Sequence, residues 1–258
     1  MTQLRVALFQ TDPIWQSPEK NMQQLAQQMQ QVGDCDLMVL PEMFTAGFGS
    51  DAKQFAEECH GPTYQWLKAQ AAKHSCAICG SFSVHLENGV ANRLVWCNAD
   101  GNTHHYDKRH LFRMAGEHKR YISGSEKLLL NYCGWRINPQ ICYDLRFPVW
   151  CRNRSDFDLQ IFVANWPAAR RHAWRTLLQA RAIENQAYVI GVNRTGVDGK
   201  GLEYSGDSLI VDPMGEIVVD ANDKPGVFTA TLDLACVQNH REQFPTHLDA
   251  DKFEIHFD

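Results

Sequence analysis

Short apolar runs alternate with longer amphipathic stretches along most of the chain. The runs at residues 4–9, 36–40, 76–84, 137–141, 159–164 and 188–193 have the length and composition of buried β-strands. Residues 18–32, 63–74 and 170–186 have helical patterns, and Ser17 followed by Pro18 is a start signal for the first helix. Strands that alternate with helices in this way predict an α/β protein.

Two hairpin signals complete the pattern. Residues 93–98 and 104–107 flank a turn at 99–102, and residues 208–220 contain two apolar runs around an Asp-Pro-Met-Gly turn. Both halves of the chain thus have the order strand, helix, strand, hairpin. We expect one domain over residues 1–258, with two stacked sheets and helices outside them. Residues 237–258 predict a C-terminal tail that packs on the body or on a partner subunit.

Composition and charge exclude several classes of protein. The 258 residues are 44% hydrophobic and 21% charged, with 25 basic against 30 acidic side chains and a net charge of −5. This balance gives no support to nucleic-acid or membrane-surface binding, and no apolar run approaches the ~18 residues of a membrane helix. The start turns polar too soon for a signal peptide, so nine reduced cysteines and a cytoplasmic location are expected.

Three strand ends carry residues that no buried strand needs. Glu42 follows the strand at 36–40, Lys108 follows the first hairpin, and Cys142 follows the strand at 137–141. Each alone has an ordinary interpretation as a turn residue, a surface lysine or a core cysteine. Together, a carboxylate, an amine and a thiol are what acyl transfer from an amide requires: the carboxylate accepts the thiol proton, and the ammonium stabilises the sulfur. Lys108 and the backbone N–H of Tyr143 would hold the oxyanion.

The three motifs that contain these residues resemble the signature blocks of a known family. LPEMF, YDKRHLF and ICYDLRFP are similar to the three blocks of the nitrilase superfamily of carbon–nitrogen hydrolases, in order and spacing. The resemblance implies a four-layer α-β-β-α sandwich, a cysteine thioester intermediate and no metal or organic cofactor. It also implies a fourth catalytic residue, Glu117, and a homodimer formed through the outer helices.

Within the superfamily, the longer stretches ICYDLRFPVWCRN, HLFRMAGEHKRYISG and VANWPAARRHAW are similar to bacterial ω-amidases. That resemblance implies a small-molecule substrate such as 2-oxoglutaramate or 2-oxosuccinamate, which transamination supplies, with methionine salvage as one source. Arg146 and Arg113 are candidates to bind the substrate carboxylate bidentately, although Arg146 could instead pair with Asp144. Trp166 either forms a wall of the pocket or packs on a helix.

The same residues are compatible with other functions. An aliphatic amidase, an N-carbamoyl-amino-acid amidohydrolase or a nitrilase would use the same three catalytic residues. A catalytically silent binding module on this fold is a different class of answer, although an intact set of four residues argues against it. Cys76 and Cys79 have the C-x-x-C spacing of redox and zinc sites, but residues three apart in a strand face opposite sides.

Overall fold

Two six-stranded sheets form the centre of the protein, which a computed structural model describes over residues 2–256. The strands are β1 Gln3–Gln10, β2 Leu37–Val39, β3 Ala77–Leu86, β4 Gly89–Cys97, β5 Thr103–Asp107, β6 Leu130–Tyr132, β7 Trp135–Ile141, β8 Leu159–Ala164, β9 Tyr188–Asn193, β10 Thr195–Val197, β11 Glu203–Ser205, β12 Leu209–Val211, β13 Ile217–Asp220 and β14 Gly226–Asp233. The helices are α1 Pro18–Met29, α2 Ala52–Phe55, α3 Pro62–His74, α4 Pro148–Cys151, α5 Arg171–Asn185 and α6 Leu234–Gln243.

The two sheets have the same succession of strand pairings. The first has the order β14-β1-β2-β3-β4-β5 and the second the order β6-β7-β8-β9-β12-β13, while β10 and β11 form a separate hairpin. In both orders, the five successive pairs of neighbouring strands are antiparallel, parallel, parallel, antiparallel and antiparallel. The internal repeat inferred from the order strand, helix, strand, hairpin is therefore present in the fold.

Side chains that alternate between the two faces of each strand form three apolar layers. In β1, Leu4, Val6 and Leu8 pack in the layer between the two sheets, whereas Ala7 and Phe9 pack in the layer that includes the apolar faces of α1 and α3. Successive strand residues point to opposite faces, so a continuous apolar run can serve both layers. α5 covers the outer face of the second sheet. The α-β-β-α sandwich and the α/β class predicted from the sequence are confirmed.

The two cysteines of the C-x-x-C sequence lie in different layers. Cys79 packs between the sheets, and Cys76 packs under the helices on the other side of β3. Thiols that point into different layers on the two sides of one sheet cannot bind a single ion or form a disulfide with each other. The core interpretation of this sequence is the correct one.

Three elements differ from the sequence-based expectation. α1 ends at Met29 rather than at residue 32, and the hydroxyl of Ser17 donates to the carbonyl of Trp15 instead of capping the helix. The expected tail at 237–258 begins inside α6, and residues 257–258 lie outside the described part. α6 is fixed to the body by Arg241, which contacts the Asp158 carboxylate at 2.8 Å. Finally, β14 adds an edge strand beside β1 that the sequence analysis did not identify.

Among the helices of residues 2–256, none has the length and apolar composition that crossing a membrane would require.

Because the layer between the sheets is closely packed, a substitution that leaves a cavity there should strongly lower the free energy of unfolding. Leu8→Ala removes a side chain that is fully buried in this layer, and we expect it to lower the free energy of unfolding by about 2–5 kcal/mol. Leu129→Ala is the matched control, because Leu129 is 45% exposed and its truncation should change stability by no more than about 0.5 kcal/mol. Urea unfolding measures both values. Equal effects of the two substitutions would contradict the assignment of the layer.

Candidate active site

Two buried carboxylates converge on one buried ammonium group. Lys108, the first residue after β5, places its Nζ 2.8 Å from Oε1 of Glu42 and 3.0 Å from each carboxylate oxygen of Glu117. Glu42 lies just beyond β2, and Glu117 begins a short 3-10 turn, Glu117–Lys119. All three side chains are at most 1% exposed. The structure thus brings together the carboxylate, the amine and the second glutamate that the sequence analysis selected.

Cys142 lies at a strained point of the chain beside this cluster. It is the first residue after β7 and the first residue of a 3-10 turn, Cys142–Arg146. Its φ of +46° lies in the left-handed region, which costs a residue with a Cβ atom about 1–3 kcal/mol. Its Sγ is 3.9 Å from the carbonyl oxygen of Asn165, and it lines the same cavity as Lys108. Cys142 is therefore a buried residue, 8% exposed, whose side chain lines the cavity at the start of the turn.

Burial and neighbouring charges shift the pKa values of Cys142, Lys108 and Glu117. Burial, and then the negative charge of Glu42, raise the pKa of the Cys142 thiol well above its ordinary value, although Lys108 opposes this. Burial alone would lower the pKa of Lys108, but the charges of Glu117 and Glu42 raise it. Burial also raises the pKa of Glu117, against the opposing effect of Lys108. The resting site therefore holds a neutral thiol beside a permanent ammonium.

Two asparagines that the sequence analysis did not select hold Glu42 in place. Asn92 donates its Nδ2 to Oε1 of Glu42 at 2.8 Å, and the backbone N–H of Asn165 donates to Oε2 at 2.8 Å. The Asn165 side chain also donates to the backbone carbonyl of Glu42. A sequence signal existed for each: Asn92 interrupts the apolar strand β4, and Asn165 directly follows β8, as Cys142 follows β7.

A cavity opens above the thiol. Aromatic rings form much of its wall, namely those of Phe48, Phe112, Tyr143, Trp166 and Tyr204. Two guanidinium groups face the same space. Arg146 stacks over the Trp166 ring at 4.8 Å, and Arg170 over the Phe112 ring at 5.3 Å. Trp166 also packs against Trp174 of α5, so the two sequence-based interpretations of this residue are both correct.

The two arginine predictions need correction. Arg113 is exposed in a 3-10 turn and is not among the residues that line the cavity, whereas Arg170, which was not selected, lines it. The alternative in which Arg146 pairs with Asp144 does not hold, because other groups bind the Asp144 carboxylate: the Tyr106 hydroxyl, the backbone and ring of His110, and the backbone of Ile141. Arg146 is therefore left available to the cavity.

The arrangement can perform nucleophilic attack on a carbonyl carbon. A proton that moves from Cys142 to Glu42 leaves the net charge of the buried cluster unchanged, so the transfer avoids the cost of creating a new buried charge. Lys108 remains beside the resulting thiolate. Tyr143 is the second residue of its 3-10 turn, where the backbone N–H has no acceptor within the turn. That N–H and the ammonium are the two donors that an oxyanion needs.

Comparisons with known proteins agree with this chemistry. The profile described as carbon-nitrogen hydrolase matches residues 5–242. An omega-amidase of Escherichia coli strain K12 is 43% identical over 256 residues, which cover 99% of this chain and 100% of that relative. A 2-oxoglutaramate amidase of Bacillus subtilis is 35% identical, covering 84% and 85%. A CN-hydrolase superfamily protein from Xanthomonas campestris, crystallised with an arsenic adduct in its active site, is 48% identical with a TM-score of 0.97, covering 99% and 100%.

The charges of the cluster predict that removing the charge of Glu42 makes the Cys142 thiol ionise more readily but stops turnover. Glu42→Gln should abolish turnover, because it removes the proton acceptor. It should nevertheless lower the pKa of Cys142, because the negative charge of Glu42 raises that pKa. The rate of iodoacetamide alkylation against pH, followed by mass spectrometry of the Cys142 peptide, measures the shift.

The exposed Cys59 serves as the internal reference for reagent reactivity in this experiment. An unchanged or raised Cys142 pKa in Glu42→Gln would contradict the electrostatic account. Retained turnover would remove Glu42 as the base.

Proposed function

The chain belongs to the carbon–nitrogen hydrolase family, and we propose that it is an ω-amidase. Its substrates are short keto-dicarboxylic monoamides such as 2-oxoglutaramate and 2-oxosuccinamate, which it hydrolyses to the acid and ammonia. The similarity to an omega-amidase and to a 2-oxoglutaramate amidase supports this assignment. The structural observation that carries it is the buried ion cluster of Lys108 beside Cys142, in a cavity that also contains two guanidinium groups.

The reaction begins with acylation of the thiol. Glu42 takes the proton of Cys142, and the sulfur attacks the amide carbon. Lys108 and the backbone N–H of Tyr143 stabilise the oxyanion. Glu42 then gives its proton to the leaving nitrogen, ammonia departs, and a thioester remains on Cys142.

Water completes the cycle. Glu42 takes a proton from water, the hydroxide attacks the thioester, and the proton returns to the sulfur as the acid leaves. Cys142 thus ends each turnover protonated, with a proton from water in place of the one that left with ammonia, and no net charge accumulates in the buried site. Glu117 binds Lys108 through both carboxylate oxygens and accepts a hydrogen bond from the backbone N–H of Phe112 at 2.6 Å. We assign it the role of keeping the ammonium charged and in place.

The two guanidinium groups favour an anionic substrate over a neutral one. Arg146 and Arg170 both face the cavity. Neither forms an ion pair with another residue of the described range 2–256. A guanidinium that is stacked on an aromatic ring and free of a protein carboxylate is suited to bind one from a ligand. A neutral amide or nitrile substrate would leave these charges without a partner.

We further propose that the whole chain forms one hydrolase domain and acts in the cytoplasm as a homodimer. All nine cysteines are unpaired, which fits a reducing compartment and a thiol nucleophile. Exposed apolar side chains on the outer helices, Val149 on α4 and Ile183 on α5, fit an interface formed there. The substrate would come from transamination of glutamine or asparagine, for which methionine salvage is one source.

Substrate charge provides the test of this assignment. Arg146→Met and Arg170→Met should each lower kcat/KM for 2-oxoglutaramate about 10- to 100-fold, since a hydrogen bond to a charged group contributes about 1.5–3 kcal/mol. Hydrolysis of a neutral amide of similar length, measured as ammonia release, should change little. Arg113→Met is the matched control and should behave as the wild type, because Arg113 is exposed outside the cavity.

A wild-type preference for neutral amides, nitriles or N-carbamoyl compounds would assign the protein to another branch of the family. Equal losses on charged and neutral amides in the arginine variants would contradict carboxylate binding by these residues.

A further inference from the structure

We propose that Asp144 is a positioning residue that holds the Cys142 turn and the Lys108 segment in the relative placement that acylation requires. The inference rests on the proposed function, because it concerns the rate at which Cys142 is acylated. Among the described residues, no hydrogen bond joins Asp144 to the Cys142 thiol or to the Lys108 ammonium. Asp144 acts instead through the backbone segments that carry these two groups.

The carboxylate of Asp144 is fully buried and connects two separate segments. Its Oδ2 accepts from the hydroxyl of Tyr106 at 2.7 Å and from the backbone N–H of Ile141 at 3.1 Å. Its Oδ1 accepts from the backbone N–H of His110 at 2.9 Å and lies 2.7 Å from the Nδ1 of that ring. Tyr106 and His110 stand two residues before and two residues after Lys108. Thus a single side chain joins both sides of the lysine to the turn of the nucleophile.

The hydrogen-bond directions require a carboxylate at this position. The oxygen of Tyr106 already accepts from the backbone N–H of Arg109 at 3.2 Å and from the Nε1–H of Trp150 at 3.1 Å. Its own hydrogen is therefore directed at Asp144. The backbone groups of Ile141 and His110 are donors by nature, so Asp144 is surrounded by donors. An asparagine would present an NH₂ group to at least one of them and leave it unsatisfied.

The connection matters because the two segments belong to different sheets. Lys108 follows β5 of the first sheet, and Cys142 follows β7 of the second. Between the sheets lie mainly apolar contacts, which are not directional and do not fix a sub-ångström placement. At the site, Asn165 links the second sheet to Glu42, but this bond does not reach the Lys108 segment. The hydrogen bonds of Asp144 are directional, and the His110 ring adds a parallel stack on Phe147 at 3.7 Å. A displacement of about 1 Å between reacting groups can lower a rate about 100-fold.

A purely local role for Asp144 makes a different prediction. The bond from Ile141 caps the 3-10 turn of Cys142, and a carboxylate that did only this would stabilise the turn without any link to Lys108. Tyr106→Phe separates the two roles. It removes a bond between the segments and leaves the cap intact.

The experiment compares Asp144→Asn and Tyr106→Phe with Asp158→Asn as matched control. Asp158 is another buried carboxylate, bound to Arg136 at 2.6 Å and to Arg241 at 2.8 Å. It lies beside the start of β7, about 20 Å along the strand from Cys142. For each variant we would measure the melting temperature, KM, and the fraction of protein molecules whose Cys142 thiol can be acylated. The single-turnover rate of ammonia release is then divided by this fraction, which gives the rate for each competent thiol.

Asp144→Asn should lower the acylation rate of each competent thiol about 100-fold, and Tyr106→Phe about 10-fold, with KM within about 3-fold of the wild type. Asp158→Asn should lower the melting temperature and leave the rate of each competent thiol unchanged. If Asp144→Asn does not fold, the result for Tyr106→Phe decides. Wild-type rates for each competent thiol in Asp144→Asn or in Tyr106→Phe would overturn the inference. A wild-type protein that forms no acyl adduct would instead refute the proposed function, and the inference with it.

Discussion

The ammonium of Lys108, held between two buried carboxylates, is the interaction on which the site depends. A lone charge in such a place would be very costly, and two carboxylates without the lysine would repel each other. Together with the Asn92 and Asn165 donors, the three groups form a hydrogen-bonded cluster from which water is largely excluded. The cluster keeps the neighbouring thiol protonated at rest and provides both the acceptor for its proton and the cation for the resulting charge.

The sandwich supplies the geometry that this cluster requires. Glu42, Cys142 and Asn165 follow β2, β7 and β8, which are members of the parallel parts of the two sheets. The carboxyl ends of parallel strands lie at one edge of a sheet, and stacking of two such sheets brings the loops of both to a shared crevice. Lys108 reaches the same place from the end of the hairpin strand β5. Each reactive group is thus attached to a rigid strand, and its loop needs only a few residues to reach the others.

The fold class and the reactive groups were accessible from the sequence because both are local signals. Strand periodicity identified most of the sheet strands, and unusual residues just beyond strand ends identified Glu42, Lys108 and Cys142. Contacts between distant segments gave no such signal. Arg170, rather than Arg113, faces the cavity because of the direction in which the chain enters α5, which no spacing reveals. In the same way, β14 and α6 have polar, partly exposed sequences and are ordered by tertiary contacts such as that of Arg241 with Asp158.

The most direct test of the account is the mass of protein mixed with 2-oxoglutaramate and quenched within the first turnover. We expect an adduct equal to the substrate less ammonia, located on the peptide that contains Cys142 and absent from Cys142→Ala. An adduct on another residue, or turnover that persists in Cys142→Ala, would contradict it.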